Sequence, residues 1–146
     1  MKLLKILALE ADDLPVISAC LQDAVIRIGD MNYGAKAQQF VFVANRFEGE
    51  QDSNAKTGFR RRTGVSFSQV KKVRSQKIRQ GVDDAILSLL AIEFVAGPDA
   101  PEGIIMLVFS GGGTIELDVE CVEVQMEDLG PRWQTANIPT HDQEQE

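Results

Sequence analysis

A run of three glycines between two extended apolar segments constrains the fold of this chain more than any other feature. The segments are residues 104–110 (IIMLVFS) and 114–124 (TIELDVECVEV). The second segment alternates apolar with acidic side chains: Ile115, Leu117, Val119 and Cys121 against Glu116, Asp118 and Glu120. Successive side chains of a strand point to opposite faces, and glycine adopts the positive φ angles of tight turns. The pattern therefore predicts a β-hairpin with one buried and one solvated face.

Most of the remaining chain also consists of short segments typical of strands. Seven segments, the hairpin included, have this character: residues 3–8, 25–33, 39–47, 63–73, 82–97, 104–110 and 114–124. Residues 82–97 are less specific, because a continuous apolar run with few β-branched residues fits a buried strand or a buried helix. One helix is predicted over about residues 13–23, because Leu14, Ile17, Leu21 and Ala24 fall at helical spacing. Asp12 is its expected N-cap, and Pro15 lies in its first turn.

Together these elements predict the fold class: mainly β, a single antiparallel barrel or rolled sheet of about seven strands with one N-terminal helix. A chain of 146 residues is about one domain and can bury roughly 68–70% of its unfolded surface. We assign the domain to residues 1–130 and expect residues 131–146 to be a poorly ordered tail. The polar residues 48–58 are expected to form a loop.

Two parts of the sequence resemble each other. QDAVIRIGDMNY followed by QFVFVANRF is similar to DDAILSLLAIEF followed by IIMLVFSGG. In both, an Asp-Ala-apolar-apolar opening leads into a strand, and an apolar-aromatic strand follows. A duplicated hairpin would explain the resemblance, and so would chance among β-rich segments.

Membrane insertion and export are not indicated. No apolar run approaches the ~20 residues that a membrane helix needs. The first residues, MKLLKILALEADD, lack the long apolar core and small-residue cleavage site of a signal peptide, and acids begin at Glu10. These features predict a cytoplasmic protein that does not contact a membrane.

Cysteine and histidine are scarce, which narrows the possible chemistry. Cys20 and Cys121 are far apart in sequence, belong to no CxxC motif and are most simply buried thiols. The single histidine, His141, lies in the predicted tail, so a histidine metal cluster is impossible and a Ser-His-Asp triad is disfavoured. The sequence therefore predicts no cofactor, no metal and no catalytic residue.

Positive charge is concentrated in one segment of an acidic chain. The basic segment, residues 56–79, contains nine basic residues and no acid: Lys56, Arg60, Arg61, Arg62, Lys71, Lys72, Arg74, Lys77 and Arg79. The rest of the chain carries six basic and all 22 acidic residues, and the net charge is -7. The candidate ligand- or partner-binding residues are Arg60, Arg61, Arg62, Lys71, Lys72 and Arg74.

The basic segment allows two interpretations. It could be a phosphate-binding strip, with Phe59 and Phe67 available to stack on bases. Alternatively, its charges could pair with acidic faces of the same chain or of a second copy, and the acidic row of the hairpin is a suitable partner. Strand alternation sends Arg60 and Arg62 to one face and Arg61 to the other.

Other polar stretches are weaker candidates for a site. Ser110–Gly113 leads into a strand and lacks the lysine of a phosphate loop. Acids two apart on a strand lie about 6.6 Å apart, too far to share one small cation unaided. Residues 45–48 (NRFE) and 128–133 (DLGPRW) could line a pocket or form structural corners.

Five stretches carry a resemblance to a known family. NRFE, RRRTGVSF, LSLLAIEF, GGGTIELDVE and DLGPRW resemble, in the same order, the signature stretches of an uncharacterised alphaproteobacterial family, known only as a domain of unknown function. The resemblance covers nearly the whole chain. It implies a bacterial cytoplasmic protein and supplies no activity or catalytic residues.

The favoured hypothesis is a non-enzymatic interaction module that uses the basic segment to meet an acidic protein surface or another subunit in a homo-oligomer. The alternative is an RNA- or phosphate-ligand-binding domain, with nucleic acid possible but not favoured. A further alternative is a histidine-free enzyme, which would need a carboxylate and an arginine converging in a pocket, for instance Asp128 with Arg61, and a raised carboxylate pKa.

Overall fold

The computed structural model describes residues 3–49, 58–79 and 81–135. Its ten strands are β1 (Lys5–Ala8), β2 (Val25–Gly34), β3 (Gln39–Gly49), β4 (Gly58–Phe67), β5 (Val70–Gln76), β6 (Ile86–Ala96), β7 (Gly103–Phe109), β8 (Thr114–Val119), β9 (Val124–Asp128) and β10 (Trp133–Thr135). One helix, α1 (Leu14–Leu21), follows a short 3-10 turn at Ala11–Asp13. Most of the predicted 48–58 loop and the chain beyond Thr135 lie outside the described residues.

All strands belong to one rolled antiparallel sheet. Its order is β1-β9-β4-β3-β2-β6-β7-β8-β5, and β10 pairs with β4 beside β9. The two end strands, β1 and β5, do not pair with each other, so the sheet is rolled without closing into a barrel. The predicted class, a mainly β rolled sheet with one N-terminal helix, is confirmed.

The predicted number of about seven strands was too low. The segment 63–73 is divided between β4 and β5, because the chain bends at Gln69, whose φ is 60°. The segment 114–124 ends as β8 at Val119, and a new strand, β9, begins at Val124. The short β10 falls within the predicted tail. Residues 82–97 form a strand, β6, rather than a helix.

The strand order reads the same in both directions from the central β2–β6 pair. β3 and β7 flank this pair, β4 and β8 come next, and then β9 and β5. Each half of the sheet is thus a three-stranded meander that receives its fourth strand from the other half. The two crossings bond to each other in equivalent ways: Ser68 N–H donates to the Glu123 carbonyl, and Glu120 N–H donates to the Gln69 carbonyl.

The internal sequence resemblance falls on elements that this symmetry relates. At the centre, Ile28 N–H donates to the Ala85 carbonyl, and Leu89 N–H donates to the Ala24 carbonyl, both at 2.9 Å. Ala24 and Ala85 are the alanines of the two Asp-Ala-apolar-apolar openings. The symmetric placement favours duplication of a unit over chance.

One hydrophobic core fills the roll. The rings of Phe40, Phe42 and Phe67 cluster with centroids 6.0 to 6.4 Å apart. The predicted hairpin is confirmed: Ile115, Leu117 and Val119 are buried, and the turn between β7 and β8 has positive φ at Gly111 and Gly112. Each fully buried aliphatic side chain contributes roughly 1.5–3 kcal/mol.

Helix α1 closes one side of the roll. It is shorter than predicted and buries Leu14, Ile17 and Leu21. The helix packs on β6, β3 and β1, and its Ser18 hydroxyl accepts a hydrogen bond of 2.9 Å from the Ile92 N–H of β6. We call this α1-filled groove along β6 the sealed seam.

Candidate functional site

The three consecutive arginines of the basic segment lie on β4 and have three different environments. Arg61 points into the roll and is 3% exposed, whereas Arg60 is half-buried and Arg62 is exposed. This alternation agrees with the prediction that Arg61 faces the opposite side from its neighbours. The triplet therefore does not present one continuous cationic surface.

Arg61 belongs to a buried ionic cluster at one end of the inner sheet face. Asp128 on β9 is its centre, and none of the Asp128 side chain is exposed. Arg46 donates to both oxygens of Asp128, with Nε–Oδ1 2.9 Å and Nη2–Oδ2 2.8 Å. The Thr63 hydroxyl and the Leu4 N–H each donate to Asp128 at 2.8 Å.

The second cation of the buried ionic cluster is Arg61. Its Nε lies 3.0 Å from Glu48 Oε1 and 3.6 Å from Asp128 Oδ2, and its Nη1 donates to the Gly130 carbonyl at 3.2 Å. The cluster joins the NRFE and DLGPRW stretches, which sequence analysis left as corners or pocket walls. Within the described chain, no buried polar side-chain atom lacks a hydrogen-bond partner. The cluster has the features of a structural corner.

The electrostatics of Asp128 do not match those of a general acid or base. Burial by itself would raise the pKa of this carboxyl, but hydrogen bonds from Arg46, the Leu4 N–H and Thr63 outweigh burial and hold the pKa below its usual value. The hydrogen bond to Asp128 raises the pKa of Arg46. The enzyme hypothesis required a raised carboxylate pKa beside Arg61, and the structure places an ionised carboxylate there instead.

Arg60 is also engaged within the chain. Its Nη1 donates to the carbonyls of Asp23 and Asn45, both at 2.9 Å, and its guanidinium lies 5.4 Å from the centroid of the Phe47 ring. Burial lowers the pKa of Arg60 below its ordinary value. Phe59, suggested above as a stacking platform for bases, is covered by the guanidinium of Arg132 at 4.1 Å. Phe67, the other suggested platform, is fully buried.

Arg62 is the one arginine of the triplet whose guanidinium forms no hydrogen bond or ion pair with the described residues. It lines an open depression of about 350 Å³ on the outer sheet face, together with Arg27 and Asp30. Arg27 lies 3.5 Å from Asp30 and from Asp84. These carboxylates offset the positive charge of the depression, which therefore makes a poor phosphate site.

The candidate residues on β5 face the acidic row of the hairpin. Arg74 donates to both oxygens of Asp118, at 2.7 and 2.9 Å, and to Glu116 at 3.0 Å. These bonds raise the pKa of Arg74 and lower that of Asp118. Lys71 lies 3.4 Å from Glu102, and Lys72 is exposed opposite Asp118. The acidic row of β8 is thus a partner of the basic segment within the same chain.

Two cations of the basic segment lie beyond the end of β5. Lys77 and Arg79 are exposed, and neither forms an ion pair with the part of the chain that the structure describes. Between them Ile78 packs against the core. These two residues were counted in the basic segment but were not among the six candidate binding residues.

Ile78 lies in an apolar groove between β2 and β5, which we call the open seam. It has a volume of about 320 Å³ and is lined by Ile28, Met31, Phe40, Val73, Ser75, Ile78 and Ile115. None of these side chains is charged. Two hydrogen bonds at Val70 join the two sides of the groove. Val70 N–H donates to the Gln38 carbonyl, and the Tyr33 hydroxyl donates to the Val70 carbonyl.

The open seam is the symmetry equivalent of the sealed seam. One lies beside β2 and the other beside β6, the two strands at the centre of the symmetric sheet. The strands that cross between the halves also differ at their outer edges. β9 is covered by β1, whereas β5 is the edge of the sheet. Residues 3–49, 58–79 and 81–135 therefore cover one of two equivalent places and do not cover the other.

Other features carry no site. Residues 3–49, 58–79 and 81–135 contain no group of three or more side chains suited to hold a metal ion. In the same ranges no helix is long and apolar enough to cross a membrane. Cys20 and Cys121 are free and half-buried, where sequence analysis predicted buried thiols.

Sequence analysis found the charges near the open seam but not the groove. Lys71, Lys72 and Arg74 lie on its bordering strand, as the basic segment indicated. The residues that line the groove come from four strands and a loop, so no local sequence pattern indicates the groove. The one available signal was the internal repeat, which begins at Gln22 and Asp83, since its spacing extended toward the N-terminus pairs Ile17 with Ile78.

The fold and its two seams define the class of protein: a symmetric rolled sheet with an ionic corner and an apolar groove that the described residues leave open. The chain belongs to the family described as a protein of unknown function (DUF2948), whose model matches residues 4–141. No curated protein and no solved structure matches the chain. The family membership agrees with the full-length resemblance noted from the sequence.

Proposed function

We propose that this protein is a non-enzymatic interaction module whose contact surface is the open seam with its basic border, and whose partner is an acidic protein segment. One observation carries the proposal. Of two equivalent seams, the described residues fill one with helix α1 and leave the other as an apolar groove, beside Lys77 and Arg79, which form no ion pair with those residues. Exposed apolar grooves with charged borders are typical of protein-interaction sites.

This proposal assigns only some residues of the basic segment to partner binding. Arg60, Arg61 and Arg74 are committed to acceptors within the chain, so they support the scaffold rather than a partner. The cations next to the open seam that remain for a partner are Lys77 and Arg79, whereas Lys72 lies on the other face of β5, across from Asp118. Charge at the border of an interface mainly increases the association rate and selects acidic partners, while the apolar groove supplies the affinity.

Nucleic-acid binding is less well supported by the same contacts. A phosphate strip needs several unpaired cations on one surface and accessible aromatic rings. Here the arginines of β4 are divided between two faces, Arg132 covers Phe59, and Phe67 is buried. RNA is therefore an outcome to be tested rather than the favoured ligand.

Accessibility of the open seam can be tested with the dye 1-anilinonaphthalene-8-sulfonate, an apolar ring system with one negative charge. Such dyes bind exposed apolar surface. We expect the full-length protein to bind one dye molecule with enhanced fluorescence, more weakly at high salt. Ser75→Trp, which places a large side chain in the groove, should abolish the binding. Gln76→Trp is the matched control, since residue 76 follows on the opposite face of β5.

Two results would contradict the proposal: no saturable dye binding, or equal binding by Ser75→Trp and Gln76→Trp. Both variants must retain the circular dichroism spectrum of the wild type. A labelled 20-nucleotide RNA, titrated at low and physiological salt, tests the alternative. Tight RNA binding that falls steeply with salt, and that survives Ser75→Trp, would replace the interaction proposal with a phosphate-binding one.

A further inference from the structure

We infer that the partner element is an acidic amphipathic helix that lies in the open seam as α1 lies in the sealed seam. This inference rests on the proposed function and adds the identity of the partner element to it. It follows from three observations: how α1 fills the sealed seam, which residues occupy the equivalent positions, and what charge surrounds them.

The sealed seam shows which kind of element packs beside β6. α1 inserts Leu14, Ile17 and Leu21, which are at most 2% exposed and follow the three- and four-residue spacing of one helical face. Its Ser18 hydroxyl accepts a hydrogen bond from Ile92 at the edge of β6. A short amphipathic helix is therefore the element that covers a seam of this sheet.

The central symmetry identifies the equivalent positions beside β2. Counting back from the paired alanines Ala24 and Ala85, Ile17 corresponds to Ile78. By the same count, Leu21 corresponds to Val82. Ile78 lines the open seam, and Val82 lies in the loop that leads to β6.

Only one of these two equivalent positions holds a side chain that packs against the core. That residue is Ile78, whereas Val82 is 43% exposed. The described residues form no helix there, and φ is positive at Lys77 (58°) and Gly81 (77°). The open seam, about 320 Å³ in volume, lies beside this one anchor.

Charge selects an acidic helix over a neutral or basic one. The groove lining has no charged side chain, and Lys77 and Arg79 flank the one anchor that enters it. α1 has the same character, since Glu10, Asp12 and Asp13 precede its apolar face. A partner helix needs an apolar stripe for the groove and carboxylates on either side of it for the two cations.

A peptide of residues 9–24 of this chain, with Cys20→Ser and a fluorescein label, is a suitable probe. It carries the apolar stripe and acidic residues that fit the sealed seam. Binding to the full-length protein is measured by fluorescence anisotropy at low and high salt. A peptide that also carries Ile17→Asp is the control for the apolar stripe. The protein variants are Ser75→Glu, which puts a carboxylate in the groove, and Gln76→Glu, which adds the same charge on the other face.

We expect saturable binding to the wild type with a dissociation constant below about 1 mM. The affinity is modest because an isolated short helix is only marginally formed before it binds. Ser75→Glu should weaken binding about tenfold or more, and Gln76→Glu less than about threefold. The Ile17→Asp peptide should not bind. Raising the salt concentration should weaken binding several-fold, since the attraction between the exposed Lys77 and Arg79 and the peptide carboxylates is screened by ions.

Three outcomes would overturn the inference. If the helical peptide fails while an extended peptide of alternating glutamate and valine binds in a Ser75-dependent manner, the seam accepts a strand, and the proposed function survives. If neither peptide binds and the dye does not bind, the proposed function fails as well. If the wild type forms a dimer by sedimentation that Ser75→Glu disrupts, the occupant is a second copy of this chain rather than a helix of another protein.

Discussion

Two arginine–aspartate pairs in this protein have nearly the same geometry and very different surroundings. Arg46 holds Asp128 through two hydrogen bonds of 2.9 and 2.8 Å, and Arg74 holds Asp118 through two of 2.7 and 2.9 Å. The side chains of the first pair are 10% and 0% exposed, whereas those of the second pair are 38% and 26% exposed. Both link strands of the same sheet, so burial is the main difference between them.

The comparison shows why distances alone do not rank ion pairs. Water screens the outer pair and can solvate either partner after the other is removed, so exposed pairs contribute about 0–1 kcal/mol. In the inner pair, Arg46–Asp128, water cannot solvate the partner that remains after the other is removed. Removal of Asp128 leaves two buried guanidiniums, a hydroxyl and a backbone N–H without their common acceptor. The inner pair should therefore be essential to the fold, and the outer pair should be dispensable.

The largest expected effect comes from Asp128→Ala. We expect a loss of about 3–5 kcal/mol in the free energy of unfolding, because the substitution breaks a buried pair on one side only. Urea denaturation followed by circular dichroism measures it. Asp118→Ala is the matched control and should cost about 1 kcal/mol or less. Equal losses for the two variants would contradict the assigned difference between the pairs.

The second effect concerns pH. The folded-state pKa of Asp128 lies below its unfolded value, so its ionisation stabilises the fold above about pH 4, and this stabilisation is lost as pH falls through the lower folded pKa. Asp128→Asn removes that titration. The unfolding free energy of this variant should be lower than that of the wild type at neutral pH, and the difference should shrink below about pH 4. A difference that stays constant down to about pH 2 would show that Asp128 is not ionised in the fold.

A smaller effect is expected from Arg74→Ala. Loss of its bonds to Asp118 and Glu116 should reduce the unfolding free energy by no more than about 1 kcal/mol, since all three groups reach solvent. Arg46→Ala, measured by the same urea titration, should cost several times as much because it leaves Asp128 ionised and buried. If Arg74→Ala were the more harmful change, the outer pair would hold the edge strand in place more firmly than its exposure implies.

The smallest effect is that of salt, and it separates the two pairs most directly. The Debye length shrinks from about 10 Å at 0.1 M to about 3 Å at 1 M ionic strength. The stability difference between wild type and Asp118→Ala should therefore nearly disappear in high salt. The difference between wild type and Asp128→Ala should persist, because water and ions do not reach the buried carboxylate. Urea is the denaturant of choice, since it does not itself change the ionic strength.

Local sequence patterns predicted the elements that depend on neighbouring residues. The glycine run between two alternating segments specified the β7–β8 hairpin, because turn φ angles and strand alternation are local properties. The spacing of Leu14, Ile17 and Leu21 specified α1 for the same reason. The strand count was less accurate, since β8 and β9 are one continuous apolar pattern in the sequence, and the break between them is set by the crossing of the chain to the other half.

The ionic corner was only partly accessible to sequence analysis. Both stretches that form it were noted, and Asp128 was paired with Arg61 as a possibility. Arg46 was not identified as the main partner, because residues so far apart in sequence are brought together by the order of strands β3, β4 and β9. The lowered pKa of Asp128 could not be foreseen either, since it results from four donors that meet at one carboxylate.

The sequence by itself determined the class of fold, the hairpin, the helix, the acidic balance and the place where basic residues concentrate, because alternation, spacing and composition act over a few residues. Only the tertiary structure decided which of those basic residues are available. It turned Arg61 inward to Asp128 and Glu48, bound Arg74 to the acidic row, and placed Lys77 and Arg79 beside a groove that the described residues leave open. The physical reason is that burial and pairing depend on which strands become neighbours, and strand order is a property of the whole chain.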